Sequence, residues 1–102
     1  MNIGLSDTDI QYIRTTLSKF EAVEKAVLFG SRAKGNYKRG SDIDLAVYGD
    51  NIDVDTLSKL HALLEDSSPM PYLFDIVDGS HLTHKGLLDH IERIGKIIYT
   101  KH

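Results

Sequence analysis

Ile10, Ile13, Leu17 and Phe20 recur at intervals of three and four residues, the spacing that lines one face of a helix. Ser6 stands three residues ahead of Asp9, the arrangement of a capping box, so a first helix is predicted to start there and to end near Phe20. Ala26-Val27-Leu28-Phe29 is a short continuous apolar run, the pattern of a strand covered on both faces. From Asp42 to Tyr48 the pattern changes to alternation, with Ile43, Leu45 and Val47 toward one side and Asp42, Asp44, Ala46 and Tyr48 toward the other. Gly49-Asp50-Asn51 closes that strand as a turn.

Helical spacing returns with Val54, Leu57, Leu60 and Leu64, behind a cap at Asp53 or Asp55 and ahead of a stop at Ser67-Ser68-Pro69. Tyr72 to Val77 is rich in aromatic and β-branched residues and reads as a third strand, closed by Asp78-Gly79. Thr83 is the expected cap of a last helix carrying Leu87, Leu88, Ile91 and Ile94, with Gly95 as its stop. Lys96 to Tyr99 reads as a short final strand or a packed tail. Helix, strand, basic loop, strand, helix, strand, helix is the order of an α/β (α+β) sandwich, a small sheet covered mainly by helices. We expect one domain over residues 1–102.

Composition narrows the class. A chain of 102 residues is long enough to bury about 65% of its unfolded surface around one core. Hydrophobic content of 41% with 26% charged residues argues against disorder. No apolar run approaches the roughly 20 residues of a membrane span. The start of the chain lacks the basic and long apolar regions of a signal peptide, and cysteine is absent, so a cytoplasmic location is expected and disulfides and thiolate metal sites are excluded. A net charge of −3 exerts no global pull on nucleic acid. Yet Arg32, Lys34, Lys38 and Arg39 fall within eight positions with no acid among them. A solvated loop is the ordinary reading of such a run.

That run separates two features that both concern anions and cations. Gly30-Ser31 ends the first strand. The glycine allows a tight turn and a close backbone approach, and Ser31 is expected to cap a short helix whose free N–H groups would face an anion. Asp42-Ile43-Asp44 opens the next strand and puts two carboxylates on one face, the pairing that hard divalent cations with triphosphates favour. A further acid, Asp75, is flanked by Leu73, Phe74, Ile76 and Val77. In such company it needs a cation, a hydrogen-bond network or solvent.

With Phe29-Gly30-Ser31, ten residues from Arg32 to Ser41, Asp42-Ile43-Asp44 and then Phe74-Asp75-Ile76-Val77-Asp78, the sequence resembles the minimal nucleotidyltransferases of the DNA polymerase β-like superfamily, over nearly the whole chain. The wording Gly-Ser-Arg-Ala-Lys-Gly and Ser-Asp-Ile-Asp-Leu is similar to the prokaryotic minimal branch. The resemblance implies the nucleotidyltransferase fold with a small mixed sheet. It implies that Gly30 and Ser31 hold the β- and γ-phosphates of a nucleoside triphosphate. It further implies that Asp42, Asp44 and Asp75 bind two Mg²⁺ ions for an in-line displacement that releases pyrophosphate. Asp78 is the alternative third ligand. From their position, Arg32 and Lys34 are expected to neutralise the departing pyrophosphate. Three carboxylates gathered without a cation repel one another and raise their own pKa values.

The resemblance also implies a role. Minimal members are often paired with a helical HEPN-class ribonuclease toxin, which they neutralise by adding AMP to a tyrosine. The leading expectation is therefore a Mg²⁺-dependent transferase moving AMP from ATP to a protein hydroxyl, as an antitoxin with a HEPN-domain partner. One alternative is a binding antitoxin or regulatory subunit with a vestigial nucleotide site. A weaker one is transfer to a small molecule of the aminoglycoside kind. Apolar faces on the last helix could also pair two copies. Of the five histidines, His81 and His84 straddle a helix start without a third ligand nearby, and His61 reads as a boundary residue. The five tyrosines show no stacking pattern for nucleic acid; Tyr37, beside the site, reads first as an ordinary loop aromatic, with contact to base or acceptor as the alternative.

Overall fold

A computed structural model describes residues 3–101; Met1, Asn2 and His102 lie outside the described residues. The elements in order are α1 (Asp7–Ser18), β1 (Lys25–Phe29), α2 (Gly30–Lys34), β2 (Ile43–Tyr48), α3 (Val54–Glu65), β3 (Phe74–Asp78), α4 (Lys85–Ile94) and β4 (Lys96–Thr100). The strands form one sheet in the order β3-β2-β1-β4. β1 runs antiparallel to β2 and β4, and β2 runs parallel to β3, so the sheet is mixed. The final segment is a strand rather than a packed tail.

Local chemistry explains the helix starts. Ser6 accepts from the amide of Asp9 at 3.0 Å while Asp9 accepts from the amide of Ser6 at 3.3 Å, so the expected capping box closes α1. Asp53, not Asp55, caps α3 by accepting from the Thr56 amide at 2.8 Å. At α4 the expected cap Thr83 is displaced by His84, whose Nδ1 accepts from the Leu87 amide at 3.0 Å. An imidazole nitrogen can accept where a hydroxyl was anticipated.

The alternation of β2 and the double-sided apolar character of β1 divide the interior into two layers. Ala26, Leu28, Ile43, Leu45 and Val47 face α1 and α3, packing with Ile10, Ile13, Leu17, Leu60 and Leu64. Val27, Phe29 and Ala46 face the other way, onto Ile91 of α4 with Leu87 and Val77 at their margin. Each large apolar side chain so buried stabilises the fold by about 1.5–3 kcal/mol. Val54 does not join the α3 stripe and is 79% exposed. At about 100° per residue it points about 90° away from the mean direction of Leu57, Leu60 and Leu64.

Candidate active site

The second layer ends where β1 stops and β2 and β3 begin, and there the chemistry-bearing residues gather. Phe29 and Asp44 are partners across the antiparallel pair, and Asp44 and Asp75 are partners across the parallel one. Paired residues project to the same face. Asp44 and Asp75 therefore share the α4 face with Ala46 and Val77, while Ile43 and Leu45 are sealed on the other side. Asp42 precedes β2 and is exposed, as is Asp75. Because β3 lies at the edge of the sheet, the Asp75 carboxylate reaches solvent in spite of its apolar neighbours.

Gly30 joins the two halves of the motif. Its φ of +75° lies in the left-handed region that glycine alone adopts cheaply. A Cβ at this position would run into the Asp44 carboxylate, so the turn and the aspartate touch directly. The helix α2 begins at Gly30, with Phe29 as its N-cap and no capping side chain. Ser31 therefore lies inside the first turn and is not the cap that the sequence suggested. The reason is the glycine, whose positive φ turns the chain one residue earlier. The Gly30 amide is already engaged, donating to Nε2 of His90 at 3.0 Å. The His90 ring meets Phe29 edge-on, with centroids 6.1 Å apart at an interplanar angle of 80°.

His90 is the site residue that sequence reasoning missed. It lies 60 positions from Gly30, and only its place on α4, one residue before the buried Ile91, hinted that it faces the sheet.

The electrostatics follow from this crowding. Burial, then the charges of Asp75 and Asp42, push the Asp44 carboxyl up to about 6, against the opposing influence of His90 and Arg32. The expected mutual repulsion of the three acids is thus felt at Asp44. Asp78, the alternative ligand, pairs in register with Val47, three residues or about 10 Å along β3 from Asp75. Its carboxylate accepts from the Ser80 amide at 3.1 Å and lies 2.8 Å from Nδ1 of His81. His61 lies 2.9 Å from Glu65 and 3.1 Å from the Phe74 carbonyl, the boundary role expected of it.

Arg32 is placed differently from its expected role. It is 2% exposed, and its guanidinium donates to the Ser41 carbonyl through Nε at 3.1 Å and Nη2 at 2.8 Å. Nη1 donates to the carbonyls of Ile3 at 3.0 Å and Gly4 at 3.2 Å. With most of its donors committed to backbone, Arg32 fastens the basic loop and the start of the chain instead of reaching for a leaving phosphate. Lys34, in the last turn of α2, is exposed.

A divalent cation fits this donor set. The available atoms are hard carboxylate oxygens, and the crowding of Asp75 and Asp42 around Asp44 is of the kind that a cation relieves. Among the described residues no three His, Asp or Glu side chains already stand together as a metal cluster.

Residues 11–102 match the family model described as the polymerase beta nucleotidyltransferase domain. The chain belongs to this family. No curated protein matches it significantly. Among solved structures, a toxin-antitoxin crystallised with AMP-PNP is 25% identical, with 94% of this chain and 74% of that chain covered and a TM-score of 0.71. The toxin-antitoxin MntA-HepT is 22% identical over 93% and 73%, with a TM-score of 0.70. A structure from Shewanella oneidensis is 19% identical over 93% and 73%, with a TM-score of 0.65. The last two show the shared fold. The family match makes the chain a nucleotidyltransferase-domain protein.

Proposed function

We propose that this nucleotidyltransferase is Mg²⁺-dependent and transfers AMP from ATP to a hydroxyl of a partner protein, acting as the antitoxin of a HEPN-type toxin. The observation that carries the reading is the direct apposition of the Gly30 turn and the Asp44 carboxylate, with Asp75 in register beside it. On this reading the phosphate turn and the cation-binding pair form one site. The 25% identical toxin-antitoxin structure with AMP-PNP supports the nucleotide and the partner class.

Asp42, Asp44 and Asp75 would hold two Mg²⁺ ions, which when bound stabilise the attacking and leaving oxygens of an in-line displacement. In that displacement the acceptor oxygen bonds to the α-phosphorus, the α–β anhydride bond breaks, pyrophosphate leaves, and the hydroxyl proton passes to solvent. The Gly30-Ser31 turn positions the β- and γ-phosphates, and the wall of Phe29, Ala46 and α4 shields one side of the site from water. Lys34, exposed in the last turn of α2, is left as the cation for the departing phosphates. His90 keeps the turn in its left-handed conformation. Arg32 acts indirectly, by fixing the Ser41 carbonyl immediately before Asp42.

The test is transfer of label from α-labelled ATP to the partner protein in Mg²⁺. Transfer that disappears in Asp42→Asn/Asp44→Asn, together with loss of toxin neutralisation, supports the enzyme. Neutralisation that survives the double substitution points instead to contact alone.

A further inference from the structure

A cavity of about 610 Å³ opens beside the basic loop without involving Gly30, Ser31, Asp42, Asp44 or Asp75, and its size falls in the range of small-molecule sites. Its walls include Tyr37 and Tyr72, with Arg32, Lys38 and Arg39 and no acidic residue. Tyr72 packs at the margin of the layer facing α1 and α3, whereas Asp44 and Asp75 occupy the α4 face. The lining of the cavity is separate from the Gly30-Ser31 turn and from all three carboxylates.

The cavity is built rather than incidental. The Arg32 guanidinium lies 4.7 Å from the centroid of Tyr72 and 5.4 Å from that of Tyr37, so one buried cation orders two aromatic rings that the sequence sets far apart. The Lys38 amide donates to the Ser41 hydroxyl at 2.8 Å and the Ser41 amide donates to the Lys38 carbonyl at 3.0 Å. Gly40, at φ +82°, completes this tight turn. Lys38 and Arg39 are thus presented on a fixed loop, and none of the salt bridges among the described residues engages either.

Two aromatic rings beside uncompensated cations suit a ligand that couples a planar ring to an anion. We propose that this cavity is a second, metal-independent site for a nucleotide, with its base against Tyr37 and Tyr72 and its phosphate at Lys38 and Arg39. The same chemistry is offered by a free mononucleotide or by the end of a single-stranded RNA. An acidic peptide would satisfy the cations but make no use of the two rings that line the cavity.

The experiment uses the full chain in EDTA, so that the metal-dependent site is silent and the outcome is independent of any transferase activity. AMP, inorganic phosphate, a polyglutamate peptide and a short oligoadenylate are each titrated, with binding followed by calorimetry and by the Tyr37 and Tyr72 ring resonances. AMP or oligoadenylate should bind and shift both rings. Affinity should fall by at least about tenfold in Lys38→Glu/Arg39→Glu, as expected for reversing two phosphate-facing charges. These substitutions lie on an exposed loop and leave the core intact. Binding should persist in Asp42→Asn/Asp44→Asn. A preference for oligoadenylate over AMP assigns the site to a strand end, and equal or weaker oligoadenylate binding assigns it to the free nucleotide. The proposal is overturned if neither nucleotide binds, if phosphate or polyglutamate binds as well as AMP, or if the aspartate substitutions abolish binding and the loop substitutions do not.

Discussion

The amide of Gly30 is held by Nε2 of His90 at 3.0 Å, across 60 residues of chain. The bond ties the Gly30-Ser31 turn to α4.

Removing the acceptor should loosen the turn. We expect His90→Leu to lower stability by about 1–2 kcal/mol through the orphaned Gly30 amide and to raise the KM for ATP more than it lowers kcat. His90→Gln, which offers an amide oxygen at similar reach, should recover much of both. Chemical denaturation and steady-state kinetics on the two variants read this out. A Gln variant no better than Leu would assign the loss to packing against Phe29 instead.

Gly30→Ala carries two separate penalties. The positive φ costs on the order of 1–2 kcal/mol for a residue with a Cβ, and that Cβ meets the Asp44 carboxylate. We expect transfer activity to be lost while the fold survives with a lowered midpoint of urea denaturation. Circular dichroism and the label-transfer assay separate the two effects.

Asp44 sets a pH dependence of stability. Its carboxyl is raised from 3.8 to about 6, so between those values the folded state binds more protons than the unfolded one. Stability should therefore fall as pH rises through this window and level off above it. Asp44→Asn should flatten that part of the profile. If the acids bind Mg²⁺, adding the ion should restore stability at pH 7 in the native chain and do much less in Asp44→Asn. Thermal melts across pH 4 to 7.5, with and without Mg²⁺, give the answer.

Arg32 should behave as a structural residue. Arg32→Met leaves the carbonyls of Ile3, Gly4 and Ser41 without their donor, and we expect a loss of about 3 kcal/mol or more. Arg32→Lys should rescue little, because an ammonium cannot reproduce the planar fork. Equilibrium unfolding checks both. If Arg32→Lys proves fully stable yet inactive, the residue belongs to the chemistry after all.

Leu60 and Val54 lie on the same helix with opposite expectations. Leu60 is fully buried and Val54 is 79% exposed. Leu60→Ala should cost about 2–5 kcal/mol, while Val54→Ser should change stability by less than about 0.5 kcal/mol. Comparing their denaturation midpoints tests the stripe that the structure defines.

Periodicity and spacing are local properties, and what depends on them was legible in the sequence. The capping box at Ser6 and Asp9, the two-sided strand ending at Phe29, the alternation of Ile43, Leu45 and Val47, and the Gly-Ser and Asp-x-Asp halves of the candidate site all follow from neighbours a few residues apart. The polymerase β-like family was legible for the same reason, since its motif lies mostly within one stretch from Phe29 to Asp44. What remained hidden depended on contacts between distant segments. Tertiary packing brought His90 to the Gly30 amide, placed Asp75 rather than Asp78 beside Asp44, and turned Arg32 from a presumed phosphate ligand into a fastener of three backbone carbonyls. It also brought Tyr37 and Tyr72 to one cavity. A sequence records which groups are present, but burial and distance decide whether a cation meets phosphate or carbonyl, and those are set only when the sheet and its helices close around them.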